Sequence, residues 1–267
     1  MNVSNAIRQR RVFVRAVRVA ARRMVAEPSA LVVAGVFYLM VTAILAGLWR
    51  AAADASGGSV VGYSAVALVW YVATSEAATI ALPPRMIEDI GNDIGSGAIA
   101  VEMLRPAPVL GLRVATEVGQ MLPRMLLCIS VGLVFATLTV GAPPSGSALA
   151  LAAPSLVLAL ILNIVTQHMF AAAAFWVLDA KATWFLYQKL VFVTGGMLLP
   201  LEVLPEPLET VTKLLPFSAM AYVPARLASG HFEPELIAVQ VLWLVVLGGA
   251  AHLAFRAGER HLIGTGA

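Results

Sequence analysis

Few polar side chains interrupt the apolar runs of this 267-residue sequence, and those few could do chemistry inside a membrane. Glu76 lies within one run, and Asn163, Gln167 and His168 lie within another. An ionisable group at mid-membrane costs about 3 kcal/mol unless it is paired or hydrated, so such residues are functional candidates. Structural roles are the commoner outcome: Glu76 can snorkel or pair with Arg85, the amides can link helices, and a lone histidine can pack between them.

Aromatic side chains on the same apolar runs add a second set of candidates. Such rings can line an apolar cavity, and they can equally pack between helices or sit in the interfacial belt of a membrane protein. The residues in question are Trp70, Tyr71, Phe185 and Phe192. Residue type alone does not decide between these roles.

The sequence contains no recognisable motif for covalent catalysis. The chain contains no H-E-x-x-H pattern, no paired aspartates within apolar runs and no Gly-x-Ser-Gly with a histidine partner. The phosphate-binding pattern G-x-x-x-x-G-K-[ST] is absent as well. The single cysteine, Cys128, cannot form an intramolecular disulfide and reads as a small buried residue. We predict no catalytic residue, no metal site and no cofactor bound by this chain.

The composition of the chain indicates that the apolar segments carrying these polar and aromatic residues lie in a membrane. The chain is 60% hydrophobic and 12% charged, whereas soluble domains average roughly 25% charged residues. A crossing helix needs roughly 20 apolar residues. We therefore predict an all-α polytopic membrane protein with six transmembrane helices at approximately 31–49, 60–82, 118–140, 149–178, 184–199 and 236–255.

An amphipathic helix is predicted before the first span, within residues 1–29. At about 100° per residue its arginines form one stripe and its apolar residues lie opposite. The stripe comprises Arg8, Arg11, Arg15, Arg18 and Arg22, and the apolar face comprises Phe13, Val17, Ala20 and Met24. Such a helix lies in the membrane interface, with guanidinium groups toward anionic headgroups. A short basic helix leading into a span is usually a topology signal, so we do not expect nucleic-acid binding.

The distribution of Lys and Arg predicts the orientation of the chain. With both termini in the cytoplasm, Arg50, Lys213 and Arg226 alone among the 18 basic residues lie outside. The inverted topology would place the basic excess on the wrong side of the membrane. We therefore predict a multi-pass protein with cytoplasmic N and C termini.

Two connecting segments are too long to be simple hairpins. In residues 83–113, Pro83 and Pro84 can start a short amphipathic helix, and a second one, 98–104, would end before Arg105-Pro106. Charged turns around short helices can dock on a soluble partner, and a solvated loop is an equal alternative. Residues 195–230, after the fifth span, are punctuated by prolines and predict short external helices. Their marker residues are Pro200, Pro205, Pro216 and Phe217.

Three pieces of the chain together resemble the permease subunits of type-2 ABC exporters, particularly a bacterial branch of six-span, multidrug-export-like permeases. The loop IGNDIGSGAIAVEMLRPAPV looks like the cytoplasmic signature of that branch, which ends in Leu-Arg-Pro. The segment from Gly195 to Gly230 resembles its external re-entrant helices, and the tail from Arg256 resembles its basic ending. The resemblance covers nearly the whole chain, residues 30–267 forming the permease domain.

The resemblance implies a division of labour between subunits. Two separate P-loop ATPase subunits would bind ATP and Mg²⁺, and a second permease chain, identical or divergent, would pair with this one in the bacterial cytoplasmic membrane. Closure of the ATPases would push short cytoplasmic helices of this chain and rock its spans. The substrate would be a hydrophobic drug, a lipid or a peptide, and its export is a family analogy.

The resemblance also assigns roles to residues. The expected ATPase-coupling residues are Met86, Glu88, Asp89, Asp93, Glu102 and Arg105. The candidates for the translocation route come from the polar and aromatic residues of the spans and not from the resemblance; they are Trp70, Tyr71, Glu76, Asn163, His168, Phe185 and Phe192. Alternatives from other classes are a non-transporting membrane anchor or sensor subunit and an intramembrane lipid-modifying enzyme. An ion channel is disfavoured because no pore-loop filter is visible.

Overall fold

The computed structural model describes residues 3–83, 85–103, 109–177 and 179–265, and within them the chain is almost entirely α-helical. The helices in chain order are α1 (Val3–Ala26), α2 (Pro28–Ala55), α3 (Ala65–Ile80), α4 (Met86–Gly95), α5 (Ala98–Met103), α6 (Val109–Val140), α7 (Gly146–Ala171), α8 (Ala180–Thr194), α9 (Glu206–Leu214), α10 (Tyr222–Ala228) and α11 (Glu235–Thr265). Three 3-10 turns lie at Ala172–Phe175, Leu201–Val203 and Ser218–Met220. The predicted all-α membrane fold is confirmed.

Four helical stretches are long and apolar enough to cross a membrane. They are α2, α6, α7 with its following 3-10 turn, and α11. The remaining two predicted spans coincide with α3 and α8, which have 16 and 15 residues. At 1.5 Å per residue, 16 residues span about 24 Å, less than the roughly 30 Å of a hydrocarbon core. That α3 and α8 cross completely stays a prediction.

The predicted start of the second span was wrong. Residues 60–64 form a small antiparallel hairpin, β1 (Ser59–Val60) with β2 (Tyr63–Ser64), and not a helix. The two residues between the strands, Val61 and Gly62, have φ of 49° and 83°, as a primed hairpin turn requires. Helix α3 then begins at Ala65, because the Ser64 hydroxyl accepts a hydrogen bond from the Ala67 amide at 3.2 Å.

The fourth and fifth spans lie where they were predicted, with ends that differ by three to five residues. Helix α7 changes to a 3-10 turn at Ala172, before the predicted end. Helix α8 begins four residues earlier than predicted, where the Asp179 carboxylate accepts from the Ala182 amide. It ends at Thr194, and Gly196 has a φ of 67°, a conformation that side chains rarely adopt. The chain therefore turns back toward the bundle over residues 195–199.

Helix α1 is separate from α2 and packs along α6. An added Cβ on Gly119 of α6 would lie 2.4 Å from the Val17 carbonyl oxygen, so the two backbones are in close contact. Ala20 and Met24 are buried, whereas Phe13 is 37% exposed. The arginines of the predicted stripe whose side chains are described, Arg11, Arg15, Arg18 and Arg22, are exposed. The apolar face of α1 thus covers protein in its second half.

The core lies where α3, α4, α7, α10 and α11 meet. It includes Leu68, Ile87, Leu160 and Phe255, each 2% exposed or less. By contrast, apolar side chains on the outer faces of the long helices are exposed, Leu138 reaching 83%. Exposed apolar bands of this kind fit a surface solvated by lipid.

Candidate functional site

A cavity of about 660 Å³ lies between α2, α3, α6, α7 and α8. Its size falls in the range that holds a drug-sized molecule. Apolar and aromatic side chains form most of its wall: Ala30, Val33, Ala34, Phe37, Ile80, Leu82, Pro83, Trp184, Val191, Phe192 and Met197. Polar groups come from Ser29, Thr79, Arg124, Asn163, Gln167, Tyr187 and Gln188. The cavity is therefore amphipathic.

The polar part of the wall contains a hydrogen-bonded cluster between α7 and α8. Gln167 Nε2 donates to Asn163 Oδ1 at 2.9 Å, and the Tyr187 hydroxyl donates to the same oxygen. One turn of α7 separates the two amides, so the helix places both on the cavity side. The Asn163 oxygen is satisfied by these two donors, and no hydrogen bond found within the described residues uses its amide nitrogen. That nitrogen can donate to a ligand.

Arg124 brings a positive charge to the same cavity from α6. Its Nη1 donates to the Leu82 carbonyl oxygen at 3.1 Å, at the end of α3. Its Nε is buried without a hydrogen-bond partner in the part of the chain that the structure describes. Sequence reasoning passed over this arginine, although an ionisable residue within a predicted span was an available signal.

The structure places the predicted route residues in different environments. Asn163 and Phe192 line the cavity. Trp70 is 3% exposed, packed with Ala46 and Ala136, and Phe185 is 55% exposed on the outside of α8. Lys189 lies over both the Phe185 and the Phe192 ring, at 5.0 and 5.9 Å.

Tyr71 holds the chain that follows α8. Its hydroxyl is within hydrogen-bond distance of the Gly196 and Leu199 carbonyl oxygens, and the neighbouring Ser75 hydroxyl donates to Met197. Trp49 on α2 donates to the next carbonyl, Leu198, at 2.8 Å. Backbone carbonyls between 196 and 199, which lack helical partners, are thus satisfied by side chains of α2 and α3.

Glu76 and His168 are buried away from the cavity lining. Glu76 is 2% exposed, and its Oε1 has no hydrogen-bond partner among the described residues. The alternative partner, Arg85, pairs instead with Glu88 at 3.3 Å. His168 Nδ1 lies 2.8 Å from the Ile164 carbonyl oxygen, which makes that nitrogen the donor, and its ring contacts Phe255. This is the environment of a helix-packing histidine.

The predicted coupling loop contains two short helices, as expected, but α4 is deeply packed. Its apolar face, including Met86 and Ile90, is buried against α7, α8 and the 3-10 turn after α7. An added Cβ on Gly91 would lie 2.4 Å from the Ala180 Cβ, so α4 and α8 touch where Gly91 has no side chain. Met86 is 2% exposed and anchors α4 from inside the bundle.

Arg113, on α6, ties both short helices to the bundle. It donates from Nη2 to Asp93 on α4 at 2.7 Å and from Nε to Glu102 on α5 at 2.9 Å. Asp93 and Glu102 were predicted as coupling residues, and both face this arginine within the chain. Sequence reasoning missed Arg113 because pairing across 11 and 20 residues depends on the fold.

The outer surface of the same two helices is open. Asp89, Asn92 and Val101 are exposed, and Glu88 is half-buried beside Arg85. We call this surface, with Glu88 and Ser96, the α4–α5 surface. Arg105, the last predicted coupling residue, and the Leu-Arg-Pro signature lie outside the described residues.

At the opposite end of α3, residues 195–230 carry an ion-pair cluster. Glu202 Oε1 accepts from Arg226 at 2.8 Å, from Lys213 at 3.0 Å and from the Tyr222 hydroxyl at 2.5 Å. Its Oε2 accepts from the hydroxyl of Tyr63 in the hairpin at 3.1 Å. This cluster joins β2 to the turn at Leu201–Val203, to α9 and to α10. The predicted short helices here are confirmed.

Arg226 is shared between two carboxylates of this cluster. It donates to Glu233 at 2.7 Å as well as to Glu202, and to the Tyr63 hydroxyl at 2.6 Å. Hydrogen bonds from Arg226 hold the pKa of Glu233 below its usual range. Burial raises the pKa of Glu202, but hydrogen bonds from Tyr222 and Lys213 outweigh it and leave that pKa lowered. Both carboxylates are ionised at neutral pH.

The predicted marker residues of this segment flank its turns. Pro200 precedes the 3-10 turn at Leu201–Val203, and Pro205 precedes α9, where a proline leaves no helical hydrogen bond unmade. Pro216 follows α9, and Phe217 is 7% exposed in the core. The sequence identified the prolines that interrupt this segment, but it did not predict the contact among Tyr63, Glu202 and Arg226.

Comparison with known proteins agrees with this architecture. A family model described as ABC-2 family transporter protein matches residues 26–266. No curated protein matches the chain significantly. The match begins at the end of α1 and takes in all helices from α2 to α11, so it covers both the cavity and the α4–α5 surface. This membrane-embedded chain belongs to the ABC-2 transporter family and is a permease subunit of an ABC transporter, a role that implies an ATP-binding partner subunit.

Proposed function

We propose that the chain is the permease of an exporter for a hydrophobic substrate, with the cavity as part of its translocation route. The observation that carries this proposal is the position of residues 82–83. Leu82 and Pro83 line the cavity, Leu82 accepts the Arg124 hydrogen bond, and α4 begins three residues after Pro83. A displacement of α4 would therefore act directly on the cavity wall.

The contacts of α4 support mechanical coupling to an ATPase. Buried Met86 and Ile90, the Gly91 contact with α8, and the Arg113 ion pairs fix α4 to the bundle. A tightly packed element transmits a push as a rigid body, because cores are not continuously deformable. The α4–α5 surface would receive that push from the ATPase.

The remaining features of the assembly follow from the same proposal. Two P-loop ATPase subunits bind ATP and Mg²⁺ on the cytoplasmic side, and this chain pairs with a second permease chain. The termini and the α4–α5 surface are cytoplasmic, and residues 195–230 are external, in a bacterial plasma membrane. The exposed arginines of α1 favour this orientation. This chain performs no covalent chemistry and binds no nucleic acid.

Charge changes within residues 83–113 test the coupling. The double variant Glu88→Ala with Asp89→Ala, and separately Arg105→Glu, should uncouple ATP hydrolysis from transport without reducing membrane insertion. The matched control is Asp54→Ala, which removes an exposed carboxylate near the C-terminal end of α2. Unchanged transport and ATPase stimulation in both test variants would remove residues 83–113 from the docking site.

A further inference from the structure

The cavity carries a charge pattern that goes beyond a generic apolar route. Among the described residues that line it, Arg124 is the sole charged side chain. The ion pairs formed by described residues do not include Arg124. Glu117, two turns earlier on α6, is therefore not its ion-pair partner. Arg124 is half-buried, and Glu117 acts on it electrostatically without forming an ion pair, so an anionic group placed directly against the guanidinium would add a charge-assisted contact.

The donors of Arg124 are positioned rather than mobile. Its Nη1 is held by the Leu82 carbonyl, which fixes the planar fork at the end of α3. Its Nε is buried without a partner in the described chain and does not face the open space of the cavity, so its second terminal nitrogen is the donor that remains for an acceptor there. A guanidinium donor of this kind makes a charge-assisted hydrogen bond to a carboxylate, sulfonate or phosphate.

The other residues that line the cavity indicate what kind of ligand could fit it. Asn163 offers its amide nitrogen to an oxygen of the ligand, since its own oxygen is occupied by Gln167 and Tyr187. Phe37, Val191 and Phe192 supply apolar area for a hydrocarbon or aromatic body.

The flank of the cavity is open between α2 and α8. Val33 is 69% exposed, Phe37 51% and Phe192 46%, and all three line the cavity. These exposed residues are apolar, so a molecule dissolved in the bilayer can enter there beside Lys189, whose ammonium lies over the Phe192 ring.

We propose that this cavity binds an amphipathic organic anion, with its charged end on Arg124 and Asn163 and its apolar body between α2 and α8. The proposal rests on the proposed function, since it names the substrate class of that same route. The anionic group can belong to a membrane lipid or to a free small molecule, and the two sources share the chemistry that Arg124 recognises.

The test compares an acid with its methyl ester, two probes that differ in the charge of one end and by one methyl group. The full chain, with whatever subunits copurify, is placed in nanodiscs of phosphatidylcholine and titrated with dansyl-labelled undecanoic acid and with its neutral methyl ester. Energy transfer from tryptophan to dansyl reports binding, and Trp184 lines the cavity, so Trp184→Phe should reduce the signal. Empty nanodiscs give the partitioning background.

Wild-type protein should bind the acid about tenfold more tightly than the ester, because a charge-assisted bond to the guanidinium is lost in the ester. Arg124→Gln should abolish this preference, Arg124→Lys should keep part of it, and Arg50→Gln, an exposed arginine at the far end of α2, should change nothing. Equal affinities in the wild type, or an unchanged preference in Arg124→Gln, would overturn the inference.

Competition identifies the source of the anion. If phosphatidylglycerol in the nanodisc displaces the acid, a lipid headgroup is the native occupant; if it does not, a free small anion is. The assay involves no ATP hydrolysis. Loss of charge preference therefore refutes the substrate class alone, whereas failure to recruit an ATPase refutes the proposed function alone.

Discussion

Glu202 is the residue on which the ion-pair cluster of the proposed external side converges. One carboxylate there accepts hydrogen bonds from Tyr63, Tyr222, Arg226 and Lys213, which come from three different elements, β2, α9 and α10. Arg226 also donates directly to the Tyr63 hydroxyl at 2.6 Å, so β2 and α10 are joined both through Glu202 and without it. The cluster therefore fixes how residues 195–230 fold back onto the hairpin before α3.

Replacing Glu202 with glutamine should destabilise the protein by about 2–3 kcal/mol, because a partly buried charged partner of two cations is lost. Thermal unfolding in detergent, followed by intrinsic fluorescence, measures the effect. Glu206→Gln is the matched control, since Glu206 is exposed in the first turn of α9. Equal unfolding temperatures for the two variants would show that the cluster does not hold the segment.

His231 gives the same region a pH dependence. Burial, followed by the positive charge of Arg226, holds the pKa of His231 below its usual value, against the pull of Glu233 and Glu202. The folded state therefore binds fewer protons than the unfolded state, so stability is present above the ordinary histidine pKa of about 6.5 and is lost as the pH falls through the lowered value.

The expected outcome is a fall in unfolding temperature between pH 7 and pH 5 that is smaller in His231→Gln. Glu202 and Glu233, whose pKa values are lowered, should contribute losses at more acidic pH only. Unfolding temperatures of both proteins across this range decide the matter. Parallel pH profiles would assign the acid sensitivity to another group.

Single residues were the least predictable level. Glu76, Asn163 and His168 stood out because polar groups in apolar runs are conspicuous, yet Asn163 is the one of these that lines the cavity. Arg124 lines the cavity because of its position on α6, and this could not be predicted without knowing which helices pack next to α6. Sequence spacing within one helix carries no information about the helix opposite.

At the scale of elements, α4 connects the α4–α5 surface to the cavity wall. It is a ten-residue helix with its apolar face buried, as its amphipathic pattern predicted, but it continues through Gly91 to Gly95, and Glu88 is half-buried whereas Asp89 is exposed. Its fit against α8 depends on Gly91, and its hold on α6 depends on Arg113. These two contacts can be altered separately.

Gly91→Ala should displace α4, because the new methyl group would overlap the Ala180 side chain, and overpacking of this kind typically costs 1–3 kcal/mol. We expect a several-fold loss of substrate-stimulated ATP hydrolysis in the reconstituted transporter. Gly95→Ala makes the same chemical change on the same helix, with nothing within 4 Å of the added atom, and should leave activity unchanged. Similar activities of both variants would contradict a role for the α4–α8 contact.

Arg113→Gln should release α4 and α5 from α6 and lower the same stimulation, while Arg113→Lys should give an intermediate value. Lysine keeps the charge but cannot bridge Asp93 and Glu102 with two parallel donors as a guanidinium does. ATPase assays with and without a transported substrate compare the three proteins. If Arg113→Gln kept full substrate stimulation of ATP hydrolysis, the ion pairs of Arg113 with Asp93 and Glu102 would be dispensable.

The long helices followed directly from the sequence, whereas their ends did not. Apolar runs located α2, α6, α7 and α11, because burial in lipid requires such runs. The hairpin at Ser59–Ser64 was hidden, since an apolar valine adopts a positive φ there. The early end of α8 depends on side chains of α2 and α3 that bind the following carbonyls, a tertiary effect.

At the scale of the whole molecule, two polar assemblies hold opposite ends of an apolar bundle. The ion-pair cluster around Glu202 and Arg226 lies at one end. At the other end, the ion pairs of Arg113 hold α4 and α5 against α6. Between them, the cavity opens beside the segment that leads into α4. Fold class and family were accessible from composition and motifs, because the bilayer constrains both strongly.

The central claim is that this chain works as a permease driven by a separate ATPase. The most direct measurement is affinity purification of the tagged chain in mild detergent, with mass spectrometry and an ATP-hydrolysis assay on the eluate. The account predicts a stoichiometric P-loop ATPase whose hydrolysis responds to amphipathic anions. A chain that elutes alone under several detergents, with no ATP hydrolysis, would contradict it.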